Sequence, residues 1–416
     1  MALEARQAAL KALDWVLREG RMLAHLPADP RLSPGDAARA ARLASLTLRH
    51  VQPLDAVIAP YLDRKPPLPA LNILRLAAAE LLVAGGDAHG VVDSAVKLAK
   101  ARRPTQRMAG MVNAVLRKVA VEGPERFAAE PPQRLPGWIG GPVKKRWGAE
   151  VLRTIEAAHV PLPPIDLTVK PGATVEIEGA TRLPTGSLRL PAGTQVSAVP
   201  GYATGDVWVQ DAAAALPVRL MGNVAGARVL DLCAAPGGKA MQLAALGAHV
   251  TAVDLSDSRM GRVRENLART GLTAELVVAD ALDYTAAPFD AILLDAPCTA
   301  SGTIRRHPDL PHVKSWTEVE PLTRLQMRLL DHALTLLKPG GTLVYCTCSL
   351  LPVEGEHQIT AALKRHDGLC VIPADPVALG GDDAWRSPEG GLRLRPDMWA
   401  EIGGLDGFYM AALTRP

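Results

Sequence analysis

The sequence predicts a multidomain protein with an all-α amino-terminal domain, a small α+β module and a carboxyl-terminal α/β domain of Rossmann-like type. Three observations predict it: helical periodicity from Ala5 to about Val121, a stretch rich in Pro, Gly and Thr after it, and strands alternating with helices from Trp208 onward. A chain of 416 residues exceeds what one ordinary core organises. Its 48% hydrophobic and 21% charged residues are the balance of a globular protein that buries large cores.

The first domain is expected over residues 1–122. Apolar residues recur at three- and four-residue spacing in ARQAALKALDWVL, PLPALNILRLAAAELLVAG, HGVVDSAVKLAKA and MAGMVNAVLRKVA, while DRKPPLP and VAGGDAHG break the pattern into several helices. This end of the chain is basic: residues 1–140 hold 20 Lys and Arg against 13 Asp and Glu, and the remainder holds 26 against 30. Such an excess suits a polyanionic partner. Lys97, Lys100, Arg102 and Arg103 end one helix and enter its loop, where they are candidates for phosphate contact, although a helix carboxyl terminus also favours cations by its dipole.

Residues 123–207 are expected to form a linker and a small α+β module, with short β-type pieces IDLTVK, TVEIE, GSLRL and TQVSAV between turn signals. Lys144, Lys145 and Arg146 lie at its start on a helical pattern and read as a solvated face.

Residues 208–416 alternate: strands ARVLDLC, HVTAVDL, AELVVAD, FDAILLDA and TLVYCTC, with helices GKAMQLAALG, SRMGRVRENLARTG and one beginning near Pro321. This order gives a parallel sheet covered on both faces, whose ligands bind beyond the carboxyl ends of the strands. No apolar run approaches the roughly 20 residues of a membrane span, and the amino terminus does not read as a signal peptide, so a cytoplasmic protein is expected. Five cysteines, clustered in the carboxyl-terminal half, are expected as reduced thiols rather than a disulfide framework; no metal site and no obligate protein partner are expected.

The unusual residues fall at the strand ends. Asp231-Leu232-Cys233-Ala234-Ala235-Pro236-Gly237-Gly238-Lys239 runs from a strand into a helix, and its small residues let a ligand approach the backbone closely. Neither G-x-G-x-x-G nor G-x-x-x-x-G-K-[ST] occurs, which counts against nicotinamide cofactors and nucleoside triphosphates. Asp254 ends the second strand, where a carboxylate can accept ribose hydroxyls. Asp280, followed by Ala281, ends the third, where it can meet an adenine amino group. Together these suit an adenosyl ligand without phosphates, of which S-adenosylmethionine is the common one. Arg259 borders the same region and ranks below the acids.

The fourth strand ends in Asp295, with Pro297 and Cys298 in its loop; the fifth ends in Cys346 and Cys348. Two thiols beside a methyl donor suit methylation of cytosine carbon 5, which is too electron-poor to attack the donor unaided. A thiolate that adds to carbon 6 makes an enamine, carbon 5 takes the methyl, and loss of the carbon 5 proton lets the thiolate leave. Asp295 is placed to contact N3, which requires its carboxyl to carry a proton when the base is bound. Spacing and chemistry permit either Cys298 or Cys348 as nucleophile.

DLCAAPGGK, LLDAPC, SGTIRRHPDL and CTCSLLPVEGE resemble the corresponding stretches of the RsmB/Sun family of RNA 5-methylcytosine methyltransferases, and the amino-terminal helices resemble its NusB-like RNA-binding domain. The likeness spans nearly the whole chain. It implies a class I methyltransferase domain and a small RNA-recognition-like module before it. It further implies that Cys348 is the nucleophile, that Cys298 assists product release, and that Cys233 through Lys239, Asp254, Asp280 and Asp295 line the S-adenosylmethionine site. Cys346 departs from the family pattern, where a small residue without a thiol is expected, and it is expected to face the core. Small-subunit ribosomal RNA is the target the NusB-like domain implies. Transfer RNA, DNA and a catalytically inactive RNA-binding or ribosome-assembly factor are the competing readings; DNA cytosine methyltransferases use the Pro-Cys residue with a Glu-Asn-Val motif that is absent here. Arg305, Arg306 and His307 follow the reaction loop, and Arg305 and Arg306 are expected to hold the RNA backbone.

Overall fold

The computed structural model describes residues 3–415, which divide into two compact units. One comprises the chain up to Gly140 with His159–Pro161 and Arg306–Lys314; the other comprises Gly141–Ala158, Leu162–Arg305 and the chain from Ser315 onward.

The first unit is helical: α1 (Leu3–Leu17), α2 (Pro34–Arg49), α3 (Val51–Ile58), α4 (Leu68–Leu82), α5 (Ala88–Lys100) and α6 (Ala109–Ala129), joined by the short α11 (Leu310–Val313) from far along the chain. The apolar stripes of these helices meet in one core that includes Leu13, Leu48, Leu54, Leu74, Val91 and Leu116. Side chains cap two of these helices: Ser33 accepts from Asp36 N–H ahead of α2, and Asp87 accepts from Gly90 N–H ahead of α5. The helix α6 runs past the expected boundary at residue 122. Gly123 fits there because a Cβ would lie 3.0 Å from Leu82 Cδ2, and Pro124 is carried within the same helix. The helix α7 (Gly137–Ala158) is interrupted at Gly148, whose φ of 92° breaks it in two.

In the second unit, β1 (Ile165–Val169), β2 (Thr181–Arg182), β3 (Leu188–Leu190) and β4 (Val207–Val209) make an antiparallel sheet in the order β2-β3-β1-β4. Two expected strands are not strands. TVEIE is irregular, and the Val196–Ala198 part of TQVSAV is a 3₁₀ turn. Their alternating residues pack from loops instead: Val175, Ile177 and Val196 lie against the small core of Leu167, Leu188 and Val207.

The larger sheet is built by α8 (Ala212–Arg219), β5 (Arg228–Leu232), α9 (Gly238–Ala245), β6 (His249–Asp254), α10 (Asp257–Thr270), β7 (Glu275–Val278), β8 (Phe289–Asp295), α12 (Val319–Thr335), β9 (Leu337–Thr347), α13 (Glu356–Arg365), β10 (Cys370–Ile372), β11 (Leu392–Leu394) and β12 (Phe408–Thr414). Its order is β10-β12-β9-β8-β5-β6-β7, parallel from β7 to β9, with β12 antiparallel to β9 and β11 paired to β12. Strand alternation divides the apolar residues between two cores. Val229, Leu293, Val344 and Met410 face Leu216 and Leu243 of α8 and α9; Leu230, Leu294, Leu343 and Ala411 face Leu330, Ala333 and Ile359 of α12 and α13. Both faces are thus covered, as a parallel sheet requires, and the carboxyl ends of the strands are left to build a site. No helix among the described residues is long and apolar enough to cross a membrane.

Candidate active site

The cofactor loop begins where β5 stops. Cys233 adopts φ 62°, and Ala234 N–H donates to Val253 O of the neighbouring β6 at 3.0 Å. Gly237 has φ 99°, and a Cβ on it would lie 3.0 Å from Val263 Cγ1, so both its conformation and its surroundings call for glycine. Gly238 opens α9. Lys239 is buried, and its Nζ lies 2.6 Å from Asp295 Oδ2 at the end of β8. Burial is the largest influence and opposes the Lys239 ammonium, but Asp295, Cys346 and Asp231 together outweigh it and hold the pKa above the usual lysine range.

Asp254 anchors this loop. Its Oδ2 accepts Ala235 N–H at 3.1 Å and its Oδ1 accepts Ser256 N–H at 3.0 Å. Arg259, ranked below the acids from sequence, stands over it: Nη1 is 3.5 Å from Asp254 Oδ2, and Nη2 donates to Ala235 O. Asp280 is exposed just beyond β7, and its Oδ1 accepts Leu282 N–H at 2.9 Å.

Asp231, within β5, is fully buried, and neither of its carboxyl oxygens has a hydrogen-bond partner. Burial pushes its pKa up to about 8, with Lys239 opposing and Asp295 and Asp254 adding to the rise. The same neighbourhood pushes the Cys233 thiol up to about 12, chiefly by burial and then by Asp295. A buried carboxyl without partners, a glycine cradle and strand-end acids fit a ligand that carries an amino group and a ribose but no phosphate.

The thiols meet because β8 and β9 are neighbours, with Asp295 opposite Cys346 in register. Cys298, just after β8, and Cys348, just after β9, lie with their Sγ atoms 3.5 Å apart. The contact with Cys348 is the largest influence raising the Cys298 pKa, followed by burial, and either thiol can donate across it. Cys346 is buried as expected, and its Sγ also reaches Asp295 Oδ1 at 3.5 Å.

Sequence reading missed the group that holds the two loops. Glu354 is fully buried; its Oε1 accepts Thr299 N–H at 2.9 Å and Gln326 Nε2 at 3.1 Å, and its Oε2 accepts the hydroxyls of Thr299, at 2.6 Å, and Ser349. The available signal was an acid among apolar residues in CTCSLLPVEGE.

The expected phosphate contacts separate. Arg305 does not serve as one: it is 2% exposed, and its guanidinium is held between the buried carboxylates of Asp211 and Asp406, with Nη1 donating to Gly403 O. Arg306 is exposed, and Lys97 and Lys100 are exposed near the end of α5, where Lys97 pairs with Asp93 at 2.8 Å. These three cations belong to the helical unit, whereas the cofactor loop and thiols belong to the other. No cluster of metal-ligating side chains occurs among the described residues.

Residues 219–414 match the family model described as 16S rRNA methyltransferase RsmB/F, and residues 3–121 match the NusB family. Ribosomal RNA small subunit methyltransferase B of Pseudomonas putida is 36% identical over 99% of this chain and 98% of its own length. Its counterpart in Xanthomonas campestris pv. campestris is 37% identical over 99% and 97%. Among solved structures, a methyltransferase homologue from Pyrococcus horikoshii is 29% identical, with a TM-score of 0.56 over 66% of this chain and 94% of that one. Another solved chain shares the fold throughout, at a TM-score of 0.75 and 22% identity over 100% and 99%. With a NusB-type region at one end, a cofactor loop and paired thiols at the other, and relatives matched from end to end, the chain belongs to the RsmB/F family of methyltransferases.

Proposed function

We propose that this protein methylates carbon 5 of a cytosine in small-subunit ribosomal RNA, through a covalent adduct between Cys348 and carbon 6 of the base. The observation that carries the reading is the 3.5 Å approach of Cys298 and Cys348 at adjacent strand ends. The names of the relatives matched over nearly their whole length support the ribosomal target.

S-adenosylmethionine, when bound, supplies an electrophilic sulfonium methyl. The loop from Cys233 to Lys239 holds it with Asp254 and Asp280. Cys348 sulfur adds to carbon 6, and the ring electrons move to carbon 5, which becomes nucleophilic. Asp295 meets the N3 edge of the base, and the Lys239 ammonium, 2.6 Å from that carboxylate, is the neighbouring source of the proton N3 takes up. After methyl transfer a base removes the carbon 5 proton, the electrons of that bond restore the 5,6 double bond and expel the Cys348 sulfur, and N3 returns its proton to Lys239. Cys298, which keeps its proton, delivers it to the departing Cys348 sulfur. The target base must leave any stack to reach these groups. Arg306, Lys97 and Lys100 contact RNA phosphates.

Ribosomal RNA carrying tritium at carbon 5 of cytidine tests this directly. Methylation at carbon 5 releases tritium to water in step with methyl incorporation; incorporation without release places the methyl elsewhere. Label accepted by transfer RNA and refused by small-subunit ribosomal RNA would replace the proposed target.

A further inference from the structure

The two reacting thiols sit on loops that share no covalent constraint. Cys298 lies in the loop after β8 and Cys348 in the loop after β9, and both chains are irregular where the thiols emerge. Something must fix their separation, because a thiol on a free loop samples many positions and a misplacement of about 1 Å can cost about 100-fold in rate.

The loops are joined directly where Gly302 N–H donates to Cys348 O and Leu350 N–H to Ser301 Oγ, each at 3.0 Å, and Glu354 adds a buried carboxylate that holds the residues next to both thiols. Through Thr299 it holds the residue directly after Cys298, by both the backbone N–H and the hydroxyl. Through Ser349 it holds the residue directly after Cys348. The carboxylate is itself anchored. Its own backbone carbonyl accepts Tyr345 Oη at 2.8 Å and Thr347 Oγ1 at 3.2 Å, both from β9, and Gln326 of α12 joins its Oε1 to Pro297 O, the residue before Cys298. Glu354, Thr299, Ser349 and Gln326 have no exposed surface. A buried carboxylate is costly unless its lone pairs are filled, and here all the donors come from the thiol loops and α12.

We propose that Glu354 is the positioning residue of the two-thiol centre: by accepting hydrogen bonds from the residues that follow Cys298 and Cys348, it sets the distance between the thiols. It is fully buried and acts through the residues it holds. The inference rests on the two-cysteine reading above, and its geometric part is separable from that chemistry.

The test uses phenylarsine oxide, which binds two adjacent thiols together with loss of water, on the full-length protein. Wild type is expected to take up the arsenical and Cys298→Ser to lose that uptake, which assigns it to this pair. Glu354→Gln retains acceptors for Thr299 N–H, and its amide can donate to hydroxyls that turn to receive it, so uptake and methylation stay close to wild type. Glu354→Ala is expected to lose arsenical uptake while iodoacetamide still labels Cys348. Its kcat is expected to fall about 100-fold with the KM for RNA and for S-adenosylmethionine unchanged. Should Glu354→Ala fail to fold, Thr299→Val removes one of the bonds and keeps the shape, and an intermediate loss is expected. Uptake equal to wild type in folded Glu354→Ala, or in Thr299→Val, overturns the proposal. So does a raised KM with unchanged kcat. If wild type releases no tritium yet arsenical uptake still depends on Glu354, the cytosine reading fails and the positioning role stands.

Discussion

Cys298 and Cys348, fifty positions apart in the chain, bring their sulfur atoms to 3.5 Å. Adjacency of β8 and β9 accounts for the approach, and the neighbouring sulfur together with burial raises the pKa of Cys298. In the proposed mechanism the two tasks of covalent methyl transfer are separated, Cys348 forming the adduct and Cys298 holding the proton that ends it.

Removing the donor should therefore stall the cycle late. Cys298→Ser is expected to accumulate a protein–RNA complex with S-adenosylmethionine and unmodified RNA, seen as a band that survives denaturing electrophoresis. Cys348→Ala should form no such band and lose methylation by about 1,000-fold or more.

Asp231 makes stability depend on pH. Its folded pKa of about 8 lies above the ordinary value of 3.8, so the folded state holds this proton where the unfolded chain has released it. The contribution is fully present below about pH 3.8 and is lost as pH rises toward 8. Asp231→Asn, isosteric and uncharged, should gain on wild type through that window, by up to about 1.4 kcal/mol per pH unit, and gain no more above it. Melting temperatures at several pH values check this, and parallel curves would contradict it.

Gly237→Ala places a Cβ 3.0 Å from Val263 Cγ1 at a φ of 99°. The strain is expected to cost about 1–3 kcal/mol and to fall on the cofactor loop, so titration calorimetry should show weaker S-adenosylmethionine binding.

Arg305 and Arg306 should part company. Arg305→Ala leaves Asp211 and Asp406 buried without their cation, a loss of about 3–5 kcal/mol of stability seen in thermal melting. Arg306→Ala should bind RNA less tightly and lower the slope of log affinity against log salt by about 1.

Strand ends were legible in the sequence because their signals are local. A buried strand followed by CAAPGGK, and acids closing HVTAVD and FDAILLD, need no distant partner to be seen. Cys346 is buried as expected, but not by alternation: residues two positions apart on a strand share a face, and Cys348 packs against the same core. Arg305 was misread because charge beside a reaction loop looks like a phosphate contact; its partners Asp211 and Asp406 lie 94 and 101 positions away, and such pairings leave no local trace. Glu354 was hidden for the same reason. TVEIE alternates like a strand yet pairs with nothing, since its apolar residues are satisfied by packing from a loop.

Covalent attack by Cys348 is the centre of this account, and ribosomal RNA containing 5-fluorocytidine tests it most directly, because fluorine at carbon 5 cannot leave as a proton does. With S-adenosylmethionine, wild type and Cys298→Ser are expected to give a denaturation-resistant adduct whose RNA is attached at Cys348, while Cys348→Ala gives none. An adduct attached at Cys298, or no adduct from wild type with active methylation of ordinary RNA, would contradict it.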